Sequence, residues 1–213
     1  MSRRITWPAG RPLTRAHSHE FGSTEFDGRD HTDARFSPLS PANELLPVLY
    51  GGQDDRTAAA ETVFRRLPTG GRLRRIWLDR YRAWHWSQIS ATRDLTLLAV
   101  DASLAGAGRL VDGDAGSYEQ SRRLAGQLLE RHEEVDGLAW VSRQLHDRPS
   151  SLTIDVDSPD VCLLLVAASA ARTGGVQRNQ LTANRPVTPF ASTQGLERLD
   201  VIAHELDVSV IRA

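Results

Sequence analysis

Residues 47–64 read PVLYGGQDDRTAAAETVF, and they predict the strand-to-helix connection around which the rest of the chain is interpreted. An apolar strand ends at Tyr50 and is followed by two glycines. Asp54 or Asp55 can then accept hydrogen bonds from the free N–H groups at the start of a helix. Glu61 lies two turns into this helix, and the alanines beside it leave room for a ligand or another backbone. The stretch therefore indicates a small-molecule site that contains a tyrosine and a carboxylate.

Strand-like and helical segments alternate along the rest of the chain, and the sequence contains no internal repeat. Hydrophobic periodicity predicts helices at 55–67, 76–89, 117–134 and 196–206, and strands at 13–17, 35–36, 48–50, 94–101, 137–142, 152–156, 161–167 and 208–211. An irregular alternation of this kind is typical of an α+β fold rather than of a doubly wound parallel sheet. A chain of 213 residues is long enough for one domain with its own core, so we expect a single domain over 1–213.

The bulk composition is that of an ordinary globular protein, with 40% hydrophobic and 25% charged residues. A formal net charge of −1 provides no field that favours nucleic acid or an anionic membrane, so we expect no direct nucleic-acid binding. No apolar run approaches the roughly 18 residues of a membrane span, and the N-terminus lacks a secretory signal. We therefore expect a cytoplasmic protein. A single cysteine, Cys162, excludes an internal disulfide and a cysteine-rich zinc site.

Four side chains besides Tyr50 are candidates for chemistry, and each has an alternative structural interpretation. Glu61 could be a surface carboxylate paired with Arg65 one turn later, or a carboxylate that stabilises a cationic sugar. Arg15 and Arg35 lie in strand-like segments, where an arginine either sits at a rim or binds phosphate. Ser142 ends a short strand but lacks the G-x-S-x-G frame of a hydrolase nucleophile, so a hydrogen-bonding role fits it better.

Two further patterns carry weaker hypotheses. His17 and His19 could chelate a metal ion, but no third ligand follows at a recognisable spacing, so we expect no metal site. Arginines are interleaved with aromatic residues over 77–86, a pattern that could stack on nucleic acid. Core packing or a protein interface fits the neutral charge balance better, since interface hot spots favour aromatic side chains and arginine.

Arg15, Arg35, Tyr50, Glu61 and Ser142 together resemble the RES-domain family, which is named for its arginine, glutamate and serine. The resemblance is carried, in the family order, by TRAH (14–17), ARFSPL (34–39), PVLYGGQDDRTAAAETVF (47–64), DLTLLAVD (94–101) and DGLAWVSR (136–143). The chain departs from the family by a long segment between the glutamate and the strand at 94–101. It also has an Arg-Phe pair where many members have Arg-Trp.

The resemblance implies a fold similar to that of ADP-ribosyltransferase toxins, with a mixed or antiparallel sheet and flanking helices. It also implies the toxin half of a bacterial toxin–antitoxin pair. Such toxins consume NAD⁺ by hydrolysis, by phosphorolysis, or by transfer of ADP-ribose to a specific cellular protein. The implied partner is an Xre-type helix-turn-helix antitoxin that blocks the active site in a hetero-oligomeric complex.

The resemblance also implies a role for each matching residue. Glu61 would stabilise the oxocarbenium-like state that forms as nicotinamide leaves. Arg15, together with Arg35, would hold the pyrophosphate, and Tyr50 would stack on or cap the nicotinamide ring. Ser142 would orient the carboxylate or a ribose hydroxyl, and no metal is needed. The alternative from another class is a non-catalytic module that binds a partner through the aromatic residues at 77–86.

Overall fold

The computed structural model describes residues 2–30, 34–41, 44–69 and 73–212, and within these ranges it contains eleven strands and four α-helices. The strands are β1 (Arg4–Trp7), β2 (Pro12–Ser18), β3 (Val48–Gly52), β4 (Arg75–Trp77), β5 (Trp84–Ala91), β6 (Leu95–Ala99), β7 (Gly137–Val141), β8 (Val161–Val166), β9 (Leu181–Ala183), β10 (Thr188–Pro189) and β11 (Ser209–Ile211). The helices are α1 (Asp55–Thr62), α2 (Ala107–Val111), α3 (Tyr118–Arg131) and α4 (Thr193–Glu205). No described helix has the length and apolar character that a membrane span requires.

Nine of the described strands form one sheet in the order β1-β6-β7-β8-β3-β2-β5-β10, and β9 also pairs with β5. Neighbouring strands are antiparallel, apart from the parallel pair β6–β7. Every residue of β7 and β8 is buried, which explains why both strands read as continuous apolar runs. The sheet is mostly antiparallel and the helices flank it, so the predicted mixed α+β fold is confirmed.

Packing on both sides of the sheet is visible along β8, where alternate residues belong to different cores. Leu164 packs with residues of α2 and α3, together with Trp140 of β7. Leu163 packs on the opposite side with Ile154 and Val176, which come from irregular segments. A third core joins α1 and α4 around Trp86 of β5. Helices thus cover the first and third cores, and irregular segments contribute to the second.

A cleft forms where the sheet divides between β2 and β3. β2 pairs with β5 along its whole length, from Pro12 to Ser18, and β3 pairs with β8 along its whole length. β2 and β3, however, pair with each other only at Thr14 and Gly52. Because the two strands diverge beyond this single pair, their side chains line an opening instead of closing the sheet. This divergence positions the candidate site.

The connection from β3 to α1 forms as the sequence predicts. Asp54 caps the helix by accepting a hydrogen bond from the backbone N–H of Thr57 at 2.8 Å. A Cβ atom at Gly52 would lie 2.5 Å from the backbone nitrogen of Ala58, a distance that real Cβ atoms do not reach. Glycine is therefore required for the helix to pack this closely against the strand.

The helix after this connection is shorter than predicted, because it ends at Thr62 instead of residue 67. The backbone carbonyls beyond it accept hydrogen bonds from side chains rather than from a continuing helix. Tyr81 donates to the carbonyl of Val63 at 2.9 Å, and Tyr118 donates to the carbonyl of Arg65 at 3.1 Å. Tertiary contacts thus replace the helical hydrogen bonds.

The prediction of one helix over 76–89 is wrong. The segment forms β4, a short 3₁₀ turn at Leu78–Tyr81, and β5. β4 pairs in parallel with β11 as a small separate sheet, which contains the predicted C-terminal edge strand. In β5, Ile89 and Ala91 alternate towards one core while β2 supplies a partner along the strand. Strand pairing with a distant segment therefore overrides the helical spacing of the aromatic residues.

Two short strand predictions are also wrong. Residues 152–156 contain no strand, because the backbone N–H of Ile154 donates to the Asp101 carboxylate at 3.1 Å instead of to a neighbouring strand. Residues 35–36 lie in a tight turn that is closed by a bridge between Ala34 and Ser37. In both segments the apolar residues are buried by irregular backbone, which sequence periodicity does not distinguish from a strand.

Candidate active site

Glu61 and Ser142 meet in the folded chain although 81 residues separate them. Ser142 Oγ donates a hydrogen bond to Glu61 Oε1 at 2.6 Å, and the two residues are 0% and 5% exposed, respectively. Ser142 Oγ also accepts a hydrogen bond from the backbone N–H of Gln144 at 3.2 Å, which leaves its own hydrogen directed at the carboxylate. The interpretation of Glu61 as a surface carboxylate is therefore wrong. The structure shows a buried carboxylate whose orientation Ser142 holds.

Tyr50 lies next to this pair and is held by contacts on two sides. Its hydroxyl accepts a hydrogen bond from the backbone N–H of Phe36 at 2.9 Å, and its ring meets Trp140 edge-on with 6.3 Å between centroids. Burial raises the pKa of Tyr50 far above its usual value, and the charge of Glu61 raises it further. The phenol therefore stays protonated at neutral pH. It also lies close enough to the Glu61 carboxylate for the two groups to interact electrostatically.

The cleft between β2 and β3 has a volume of about 140 Å³. Its walls include Arg15, His17, Tyr50, Thr62 and Arg65. Small-molecule sites commonly enclose about 300–1,000 Å³, so a dinucleotide would fill the cleft and extend beyond it. Glu61 and Ser142 are buried and are not among the wall residues, but Glu61 directly precedes the wall residue Thr62 in the chain.

Arg15 holds the loop that covers one side of the cleft. Its guanidinium donates to the carbonyls of Gly22 at 3.2 Å, Glu25 at 3.3 Å and Ser23. Burial lowers the pKa of Arg15 to about 9, while Glu25 and Asp27 act to raise it, so the side chain remains charged at neutral pH. A ligand phosphate would have to displace these carbonyls, and the pyrophosphate role of Arg15 stays a prediction.

Arg35 is placed away from the cleft walls. It is 2% exposed and donates to the carbonyls of Leu110 and Gly113, each at 3.1 Å. Its guanidinium also lies 5.0 Å from the centre of the Tyr118 ring. These contacts fix the end of α2 to the start of α3, so the structure brings Arg35 to Tyr118 rather than beside Arg15. Its predicted part in phosphate binding remains untested.

His17 is a cleft residue for which the sequence suggested only metal chelation. Its Nε2 lies 2.9 Å from Ser87 Oγ and its Nδ1 lies 3.0 Å from the carbonyl of Ser18. Burial lowers the pKa of His17 to about 4, and the charge of Arg15 adds to this shift. The neutral ring therefore donates from Nδ1 and accepts the Ser87 hydroxyl at Nε2. Its spacing of two residues from Arg15 in a strand was the signal that both share a face.

Lowering the pH should reveal the buried neutral state of His17. Its pKa of about 4 in the folded chain lies below the usual 6.5. Between these values the unfolded chain binds a proton that the folded chain does not, so stability is present above pH 6.5 and lost as the pH falls towards 4. From pH 7 to pH 5 the wild type should lose about 2 kcal/mol more than His17→Gln in denaturant titrations. Equal losses in both proteins would contradict this assignment.

Removing the Ser142 hydroxyl is expected to weaken any activity that depends on the Glu61 carboxylate, and to do so through Glu61 alone. A hydrogen bond to a charged group contributes about 1.5–3 kcal/mol, so Ser142→Ala should lower kcat by roughly 10-fold or more with little change in KM. In a Glu61→Gln background the same substitution should cost almost nothing, because the two residues act as one unit. Steady-state kinetics of the double-mutant cycle measure this coupling. Independent, multiplying losses would show that Ser142 acts on something other than Glu61.

No group of three or more His, Cys, Asp or Glu side chains within reach of one metal ion occurs in the part of the chain that the structure describes. The aromatic segment at 77–86 does not form one continuous surface either. Trp77 is 53% exposed, whereas Trp86 is fully buried and stacks on Phe190 with 4.6 Å between ring centroids. Trp86 is therefore a core residue and cannot serve a partner-binding surface.

The fold and the site define an α+β protein with a cleft at a split sheet and a buried serine–carboxylate pair behind it. The family model of the RES domain matches residues 12–182, and the chain belongs to this family. The matched region contains all five of the predicted site residues. RES domains are generally linked to NAD-utilising enzymes and are compatible with an NAD-related role in toxin–antitoxin systems. No curated protein and no solved structure matches the chain significantly.

Proposed function

We propose that this protein is an NAD⁺-degrading toxin that breaks the bond between nicotinamide and ribose. The observation that carries the proposal is the 2.6 Å hydrogen bond between Ser142 Oγ and Glu61 Oε1, buried beside the cleft. A carboxylate that is oriented before the substrate arrives needs no reorganisation during the reaction. Membership of the RES family supports NAD⁺ as the substrate rather than another glycoside.

The chemistry follows from the charge that develops on the substrate. As the carbon–nitrogen bond breaks, the bonding pair leaves with neutral nicotinamide and the ribose carbon becomes cationic. Glu61 stabilises this cation more than it stabilises the bound substrate, which is the condition for a faster chemical step. The buried position strengthens the attraction because little water screens it. Water, which releases one proton to the solvent, or phosphate then attacks the ribose carbon, and we assign contact with the leaving ring to Tyr50, a residue of the cleft wall.

The proposed partner is an Xre-type helix-turn-helix antitoxin that covers the cleft in a hetero-oligomeric complex. The link between RES domains and toxin–antitoxin systems supports this partner. An enzyme that destroys NAD⁺ would arrest growth unless a bound protein blocked its site. Co-expression with the protein encoded by a neighbouring helix-turn-helix gene should restore growth and should yield a complex that co-purifies.

The test of the proposed activity is the release of nicotinamide from NAD⁺ by the purified protein, measured with and without phosphate. Free nicotinamide together with ADP-ribose would identify hydrolysis, and a phosphate-dependent product would identify phosphorolysis. Transfer of a labelled ADP-ribose to a protein band would instead identify an ADP-ribosyltransferase. No release under any of these conditions would contradict the proposed cleavage.

A further inference from the structure

Arg143 is a buried arginine that is not used by any contact described above. It is 7% exposed, and none of the described residues forms a hydrogen bond or ion pair with its guanidinium; its Nε is buried without a partner. Arg15 and Arg35 are buried to a similar degree and their Nε atoms also lack a partner, but the terminal nitrogens of both donate to backbone carbonyls. Burying a charge without a partner costs free energy. Of these three arginines, Arg143 is the one whose guanidinium has no acceptor among the described residues, so its donors are available to a ligand.

The position of Arg143 places it at the candidate site. It follows Ser142, whose hydroxyl donates to Glu61, in the turn after β7. It precedes Gln144, whose side-chain amide donates to the carbonyl of Arg65 at 3.3 Å. The residues on both sides of Arg143 are thus tied to α1 and to the segment that follows it. This segment reaches the cleft, because Arg65 is part of the cleft wall.

The charges around Arg143 favour an anion. The Tyr118 hydroxyl donates to the carbonyl of Arg65 at 3.1 Å, and the Arg35 guanidinium lies 5.0 Å from the Tyr118 ring. Burial raises the pKa of Tyr118, but Arg35, Arg65 and Arg143 all act to lower it while Glu61 acts in the opposite direction. The charges of Arg35, Arg65 and Arg143 thus reach this phenol together with that of Glu61, so positive charges outnumber negative ones among the groups that act on it.

We propose that Arg143, supported by the charge of Arg65, binds a phosphate group beside the Ser142–Glu61 pair. A guanidinium recognises phosphate through two parallel N–H···O bonds, and an arginine without a protein partner has both bonds to give. The source of the phosphate rests on the proposed function. It is either the diphosphate of NAD⁺ or a free phosphate ion that attacks the ribose carbon.

The free ion would take part in a balanced step. One phosphate oxygen forms the new bond to the ribose carbon while the carbon–nitrogen bond breaks. The bonding pair leaves with neutral nicotinamide, and the other product is ADP-ribose 1″-phosphate. The step needs no oxidant and no additional proton. In this case Arg143 would hold the nucleophile next to the carboxylate that stabilises the cation.

The direct test is equilibrium binding of inorganic phosphate and of ADP-ribose to wild type, Arg143→Gln and Arg148→Gln. Arg143→Gln should weaken binding of at least one of these probes by about 10-fold or more, because it removes both the positive charge and the pair of parallel N–H donors of the guanidinium. Arg148 is exposed, so Arg148→Gln is the matched control and should bind as the wild type does. Unchanged binding in Arg143→Gln, or no binding of either probe to the wild type, would overturn the subsite.

Thermal unfolding and nicotinamide release are measured separately from the binding of the probes. Arg143→Gln should unfold at or above the wild-type temperature, since it removes a buried charge that has no partner in the part of the chain that the structure describes. If Arg143→Gln does not fold, Arg143→Lys replaces it, because lysine keeps the positive charge but lacks the pair of parallel N–H donors. Its affinity for the phosphate probe should then lie between that of the wild type and no binding. Nicotinamide release distinguishes the sources: loss of stimulation by phosphate indicates the free ion, whereas a raised KM for NAD⁺ at every phosphate concentration indicates the diphosphate. Phosphate binding without any release would retain the subsite and reject the proposed function.

Discussion

Glu61→Gln is expected to lower the rate of nicotinamide release by roughly 10²–10³-fold and to abolish growth inhibition in cells. The amide has the shape of the carboxylate and still accepts the hydrogen bond from Ser142, so the geometry of the pair is preserved. Only the negative charge that faces the developing cation is lost. Because that charge is buried, its removal should leave the free energy of unfolding unchanged or slightly higher.

The measurement is a comparison of kcat, thermal unfolding and growth between wild type and Glu61→Gln. Glu197→Gln is the matched control, since Glu197 is exposed on α4 and far along the chain from the cleft residues. The control should release nicotinamide at the wild-type rate. Toxicity that persists in Glu61→Gln, with the fold intact, would show that the carboxylate is not the group that stabilises the reaction.

Trp140→Ala is expected to destabilise the fold by about 3–5 kcal/mol, the usual cost of truncating a large buried aromatic residue. Trp140 is 0% exposed near the end of β7 and meets Phe36 edge-on at 5.0 Å between ring centroids. It also meets Tyr50 at 6.3 Å. The cavity would therefore loosen both partners of the hydrogen bond between the Phe36 backbone N–H and the Tyr50 hydroxyl.

Denaturant unfolding at constant pH checks this prediction. Trp77→Ala is the matched control because Trp77 is 53% exposed, and a surface substitution usually changes stability by less than about 0.5 kcal/mol. Trp140→Phe should cost less than Trp140→Ala, since it keeps a ring and removes an indole N–H for which the described residues supply no acceptor. Similar losses at positions 77 and 140 would mean that Trp140 does not anchor the site.

The part of the candidate site that depends on neighbouring residues could be predicted from the sequence. The stretch around Tyr50 and Glu61 predicted its strand, its glycine turn and its aspartate cap, because these depend on neighbouring residues. Ser142 was placed correctly at the end of a short strand. Its contact with Glu61 was implied only by the family resemblance, since no local pattern shows which residues meet across 81 positions.

Other features could not be predicted, because partners distant in the sequence decide them. The aromatic segment at 76–89 has the spacing of a helix, yet pairing with β2 makes its second half a central strand. Arg35 and Arg143 are two arginines among 26 basic residues, and composition does not distinguish them. Only the folded chain shows that Arg35 holds two carbonyls of the α2–α3 connection while Arg143 has no partner among the described residues.

The sequence alone determined the fold class and the strand-to-helix connection that carries Tyr50 and Glu61, because capping, glycine turns and apolar runs act over a few residues. The resemblance of its motifs indicated the RES family. The tertiary structure decided where the sheet opens and what each charged side chain contacts. β2 and β3 share only the pair Thr14–Gly52, so they separate and leave a cleft. Burial then determines which charges are paired, since a charge removed from water must find its partner within the fold or in a ligand.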